Sequence, residues 1–174
     1  SCFIGGHPMA GSELSGYTNS SADILKDAKY VITPTADTSS ESLESYVQLI
    51  KDMKAVPVIM DYKEHDYTVA AISHVPHLIA AGLTRTVKTN DDDEKHMHLL
   101  AAGGFRDTTR IAASSPEMWS QICNSNKDSI CIFLDKFIEE MHNIRDNINN
   151  DTPEETSEFI ENLFKEAGGY RKSF

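Results

Sequence analysis

The spacing of apolar residues changes along this chain. Within residues 1–60 they come in short runs bounded by turn formers. Cys2-Phe3-Ile4 stops at Gly5-Gly6, Tyr30-Val31-Ile32-Thr33 stops at Pro34, and Val56-Pro57-Val58-Ile59-Met60 follows. Runs this short predict strands. The third belongs at a sheet edge, because Pro57 has no N–H for a ladder. Between them, residues 20–29 predict a short helix capped by Ser20 or Ser21. Residues 38–54 predict an amphipathic one, with Leu43, Val47, Ile50 and Lys54 spaced at three and four and Ser39 or Ser40 as cap.

Beyond residue 60 the period is helical. Residues 61–88 predict one long helix interrupted by Pro76. Residues 94–102 predict another, ending at Gly103-Gly104, with further helices over 108–114, 116–124 and 126–149. The last spans 153–167, with Pro153 in its first turn and Gly168-Gly169 closing it. The fold class is therefore mainly α: a short α/β piece over 1–60, then an all-helical domain over 61–174. The chain opens in mid-strand without a start methionine, so Cys2-Phe3-Ile4 is expected to pair with strands outside it.

Charge narrows the range of partners. Lys and Arg number 16 against 27 Asp and Glu, a net charge of −11, which disfavours nucleic acid and anionic membrane as partners. No apolar run approaches the ~20 residues needed to span a bilayer. The three cysteines, Cys2, Cys123 and Cys131, have no Cys-x-x-Cys spacing and read as reduced thiols in the cytoplasm.

Three clusters can carry chemistry. His7, between Gly5-Gly6 and Pro8, suits an exposed, fixed imidazole at a strand end. On the long helix, Asp66, Ser73 and His77 fall within about 20° of one line at 100° per residue, a polar stripe beside the Pro76 kink. The third cluster is Gly103-Gly104-Phe105-Arg106-Asp107-Thr108-Thr109-Arg110. Asp107 stands one turn before Arg110, where a carboxylate can orient a guanidinium to clamp a ligand carboxylate. Ordinary surface roles compete with each of these readings: a turn histidine, a solvated helix face, a surface ion pair. His74-x-x-His77 and His96-x-His98 are too weak a spacing for metal, and none is expected. There is no Gly-x-Gly-x-x-Gly, no phosphate-cradling Gly-x-x-x-x-Gly-Lys-Ser/Thr and no Gly-x-Ser-x-Gly elbow. From the residues alone, the chain is a mostly helical piece suited to a small anionic ligand.

The same clusters resemble a known family. His7-Pro8-Met9-Ala10-Gly11-Ser12-Glu13-Leu14-Ser15-Gly16 resembles the substrate loop of the prephenate dehydrogenases of tyrosine biosynthesis. His65-Asp66 and Ala70, then Ser73-His74-Val75-Pro76-His77-Leu78-Ile79-Ala80, resemble that family's helix signature. Residues 103–112, with Ser114, Pro116, Met118 and Trp119, resemble its third.

The resemblance implies a two-domain parent enzyme, in which a Rossmann domain binds NAD and a helical domain of the 6-phosphogluconate dehydrogenase C-terminal type dimerises. Residues 1–60 are then the C-terminal remnant of the nucleotide-binding domain, whose main part is missing. Residues 61–174 are the substrate-binding and dimerisation domain, inactive without the rest. The implied reaction is oxidative decarboxylation of prephenate to 4-hydroxyphenylpyruvate. His7 is the implied catalytic residue, accepting the hydrogen bond of the ring hydroxyl. Arg110 holds a substrate carboxylate, His77 and Ser73 line the pocket, and Glu13 gates its entrance. Asp107 orients local structure or meets a partner subunit, and Trp119 closes the pocket; Asp66 and His74 are pocket or packing positions. Two alternatives stay open: an arogenate dehydrogenase, and a non-catalytic dimerisation or tyrosine-sensing module.

Overall fold

The strand-forming runs meet in one sheet. The computed structural model describes residues 3–11 and 16–174. Among these, three strands pair in the order β1 (Gly5–Pro8), β2 (Lys29–Thr33), β3 (Val56–Ile59). β1 runs antiparallel to β2, with His7 opposite Val31, and β3 runs parallel to β2. β3 takes the edge, as Pro57 requires.

The first strand begins later than its apolar run suggests. Gly5 and Gly6 are not a turn but ladder positions, facing Thr33 and Ile32. The reason is space: a Cβ on Gly6 would meet the Tyr46 hydroxyl and the Tyr30 ring. Tyr46 comes from helix α1 (Ser40–Asp52), whose N-cap Ser39 accepts the Ser42 N–H at 3.2 Å. The Tyr30 and Tyr46 hydroxyls hydrogen-bond at 3.1 Å, which with burial pushes the Tyr46 pKa up to about 12. α1 lays its apolar stripe on the sheet. Ile32 and Ile50 are fully buried with Ala55, and Leu43 and Val47 pack against them. Burying each of these isoleucines contributes roughly 1.5–3 kcal/mol. The segment expected to be helical over 20–29 makes only a 3₁₀ turn, Ala22–Leu25, before β2 starts at Lys29.

The long helix is two helices joined by a wider turn. α2 (Tyr62–Val69) passes into a π-helical turn, Ala70–His74, and then α3 (Val75–Asn90). Pro76 has no N–H to donate, and the ladder rearranges in the turn preceding it. Val69, Ala70, Val75 and Ala80 are buried along this run.

Next comes α4 (His96–Leu100), shorter than expected because Lys95 adopts a left-handed conformation. The Asp91 and Asp92 carboxylates accept the backbone N–H groups of His96, Met97 and His98. The His96 backbone N–H, and next its ring, hold the Asp92 carboxyl below the usual carboxylate range. Gly103-Gly104 does not end a helix; it opens α5 (Gly103–Thr109), after an extended Ala102. A 3₁₀ turn, Arg110–Ala113, and α6 (Pro116–Ser125) follow, the latter capped by Ser115.

The described residues divide into two compact units, within Ser1–Ile130 and Cys131–Phe174. Helix α7 (Lys127–Ile148) contributes its first turn to the former. In the second unit, α7 turns into α8 (Pro153–Arg171), where the Thr156 hydroxyl donates to the Asn147 carbonyl at 3.0 Å. α8 does not stop at Gly168-Gly169. Each interior glycine costs a helix only about 1 kcal/mol, and the ladder continues until Lys172 donates to the Gly168 carbonyl.

No helix among the described residues is long and apolar enough to cross a membrane.

Candidate functional site

The first unit contains a cleft of about 750 Å³. His7, Ser73, His77, Arg110 and Trp119, all expected at a site, line it together. His74 joins them, and Val69, Ile111, Met118 and Ile122 supply apolar wall. Asp107 stays exposed on α5, outside that lining. Glu13 lies outside the described residues, as does Cys2. Cys123 and Cys131 are free thiols.

The sheet fixes His7. Side chains alternate along a strand, and Gly6 faces the tyrosines of β2 and α1, so His7 faces the other way. There its Nδ1 lies 2.8 Å from His65 Nε2, on the first turns of α2. The rings meet edge to face, with centroids 5.1 Å apart. His65 Nδ1 lies 2.9 Å from a carboxylate oxygen of Asp66.

This chain of groups fixes protons. A carboxylate only accepts, so His65 Nδ1 carries the hydrogen. With His65 neutral, its Nε2 is then an acceptor, and His7 Nδ1–H donates to it. The remaining His7 nitrogen, Nε2, keeps a bare lone pair. Burial, and next the nearby His65 charge, hold the His7 pKa below its ordinary 6.5. A ring so placed is a neutral hydrogen-bond acceptor in the cleft wall.

The π-helical turn changes which residues share a face. A wider turn takes one extra residue, and one residue rotates a helix by about 100°. Asp66, expected on one stripe with Ser73 and His77, is not among the residues lining the cleft; its carboxylate meets His65, and His74 lines the cleft beside Ser73 and His77. His77 Nδ1–H donates to the Ser73 carbonyl at 2.8 Å, and its ring stacks on Trp119 with centroids 4.2 Å apart. His74 meets the same indole edge to face at 6.0 Å. The Trp119 Nε1–H is buried with no acceptor among the described residues. Arg110 opens the 3₁₀ turn after α5 and brings a permanent cation to the cleft of an acidic chain.

Sequence reasoning placed His65 only within a signature and missed Asn126 altogether. Asn126 joins α6 to α7 and donates to the Asp66 carbonyl at 2.7 Å. Neither signal was available from periodicity, because both contacts cross the fold.

A helical segment that lines a cleft with histidines and an arginine, preceded by a strip of α/β structure, defines a protein built to bind a small ligand. Comparison with known proteins gives the family. Residues 1–59 match the prephenate dehydrogenase nucleotide-binding domain and residues 61–165 the prephenate dehydrogenase dimerization domain, so the chain belongs to the prephenate dehydrogenase family. It is 39% identical over 169 residues to the prephenate dehydrogenase of Bacillus subtilis, covering 97% of this chain and 44% of that one. It is 37% identical over 174 residues to that of Lactococcus lactis, covering 98% and 45%. The chain thus spans about half the length of the curated relatives it matches. Among solved structures, prephenate dehydrogenase from Aquifex aeolicus in complex with hydroxyphenyl propionate and NAD+ superposes with a TM-score of 0.88 at 30% identity. That match covers 97% of this chain and 59% of the other. The Synechocystis arogenate dehydrogenase superposes with a TM-score of 0.83 at 27% identity, covering 98% and 62%.

Proposed function

We propose that this chain is the substrate-binding and dimerisation part of an NAD-dependent prephenate dehydrogenase acting in the cytoplasm. Residues 1–60 belong to the nucleotide-binding domain and 61–174 to the helical one. The observation that carries this reading is the Asp66–His65–His7 chain, which leaves an acceptor nitrogen in a cleft that also holds Arg110.

The fit to the cofactor is partial. The only glycine pair of the α/β strip lies inside β1, with the Cβ directions of Gly5 and Gly6 filled by Thr33 and by the two tyrosines. These residues offer no backbone cradle to a pyrophosphate. When bound, NAD supplies the oxidant. This chain supplies the substrate side.

On that side, the roles follow from charge and proton placement. His7 Nε2 accepts the hydrogen of the substrate's ring hydroxyl, which raises electron density at the carbon to be oxidised. Arg110 pairs with a substrate carboxylate through parallel hydrogen bonds. His77, held by the Ser73 carbonyl, and Trp119 form a flat wall suited to a six-membered ring. Glu13 gates the entrance, and Asp107 supports the α5 end or a partner subunit. A homodimer forms through the helices. In the second unit, Ile138, Met141, Ile148 and Phe164 are exposed apolar groups that a partner would cover.

The test is NADH formation by the full-length protein, comparing prephenate with arogenate. Reduction with prephenate is expected. Reduction with arogenate alone would make it an arogenate dehydrogenase, and none with either would overturn the enzymatic reading.

A further inference from the structure

We propose that Asn126 is a positioning residue, holding His74 in the tautomer that offers an Nε2–H to an oxygen of the ligand in the cleft. The inference rests on the reading of the cleft as a substrate site and extends it to residues given no role there.

The proton assignment follows from the partners. The Asn126 Nδ2 amide lies 2.7 Å from the Asp66 carbonyl oxygen. A carbonyl can only accept, so the NH₂ group, not the amide oxygen, faces that way. The same nitrogen lies 3.3 Å from His74 Nδ1, and its second hydrogen is directed there. His74 Nδ1 is then an acceptor, and a neutral imidazole with an accepting Nδ1 carries its proton on Nε2. With Nδ1 occupied, Nε2 is the ring nitrogen left for the cleft that His74 lines.

Charge supports the neutral form. Burial lowers the His74 pKa most, then the charge of His7; His65 and His77 add to this and only Asp66 opposes it. Protonation of Nδ1 would also set two donors against each other at the Asn126 amide.

Asp66 then sets the polarity of two cleft imidazoles. Its side chain, through His65, makes His7 an acceptor; its backbone carbonyl, through Asn126, makes His74 a donor. A ligand with a hydroxyl at one end and a carboxylate or carbonyl oxygen within reach of His74 is bound in one orientation only. The reverse orientation sets the carboxylate or carbonyl oxygen, an acceptor, against the accepting Nε2 of His7.

The tautomer can be read directly from long-range ¹⁵N–¹H spectra of histidine-labelled full-length protein, with the His74 signals assigned by His74→Gln. The expected pattern is a protonated Nε2 and a bare Nδ1. Asn126→Leu should turn this into a mixture and move the His74 pKa upward. Asn126→Asp, which keeps the side-chain size but removes both donors, should favour Nδ1–H, and serves if the leucine variant does not fold. A wild-type His74 protonated on Nδ1, or a tautomer unmoved in the folded variants, overturns the proposal. These spectra need no turnover, so they stand even if prephenate is not the substrate. If it is, the variant with the altered tautomer should raise KM roughly tenfold with kcat little changed. A changed tautomer with unchanged KM would overturn the ligand contact.

Discussion

His7 and His65, from the first strand and the second helix, share one proton along a 2.8 Å line between Nδ1 and Nε2. Because Asp66 holds the far nitrogen of His65, the direction of that hydrogen bond is set, and with it the face His7 shows the cleft.

Two substitutions separate these roles in the full-length protein. His7→Asn removes Nε2, the ring atom that accepts in the cleft, and kcat should fall about a hundredfold or more, the usual size of an acid–base contribution. His65→Leu leaves His7 in place but frees its tautomer. The fall in kcat should then be smaller, about tenfold, with KM within a factor of about two. Equal losses in the two variants would mean that His65 is needed for folding or contacts substrate itself; circular dichroism distinguishes these.

The pH dependence has a definite sign. His7 and His74 both have pKa values lowered in the folded chain. Their neutral forms fit the fold, so their contribution to stability is present above about pH 6.5, the ordinary histidine value, and is lost as pH falls through the lowered folded values. Activity should follow His7, with the acid limb of kcat/KM lying below 6.5. An acid limb above that value would show that another group controls the reaction.

Arg110 and Asp107 should behave differently despite their spacing. Arg110 lines the cleft, so Arg110→Ala should raise KM by roughly ten- to a hundredfold, the loss of a charge-assisted pair. Asp107 does not, so Asp107→Asn should change KM by less than about threefold. Similar steady-state effects of the two would mean that the carboxylate acts through the guanidinium after all.

Gly6 tests the sheet rather than the site. Gly6→Ala places a methyl against the Tyr46 hydroxyl and the Tyr30 ring, and should cost about 1–3 kcal/mol of stability. Adding Tyr46→Phe removes the hydroxyl and should recover part of the loss in thermal denaturation. A double variant no more stable than Gly6→Ala would place the strain elsewhere.

The sequence by itself determined the elements and the list of chemical groups. Short β-branched runs became β2 and β3. The spacing of Leu43, Val47 and Ile50 placed an apolar face on α1, and Ser39 starts that helix as its cap. These are local effects, decided within a few residues of backbone. Gly5-Gly6 reads as a turn in the sequence but pairs within the sheet, because a glycine marks either freedom of φ or want of space, and only the neighbour tells which. At Gly6 the neighbour is Tyr46, forty positions away in sequence. The stripe expected through Asp66, Ser73 and His77 keeps Ser73 and His77 in the cleft but not Asp66, for a related reason. A regular period assumes 100° per residue, and the π-helical turn before Pro76 breaks it. What only the tertiary structure decided is who holds whose proton. His7 meets His65 and Asn126 meets His74 across 58 and 52 residues, and a hydrogen bond over that distance leaves no period in the chain to read.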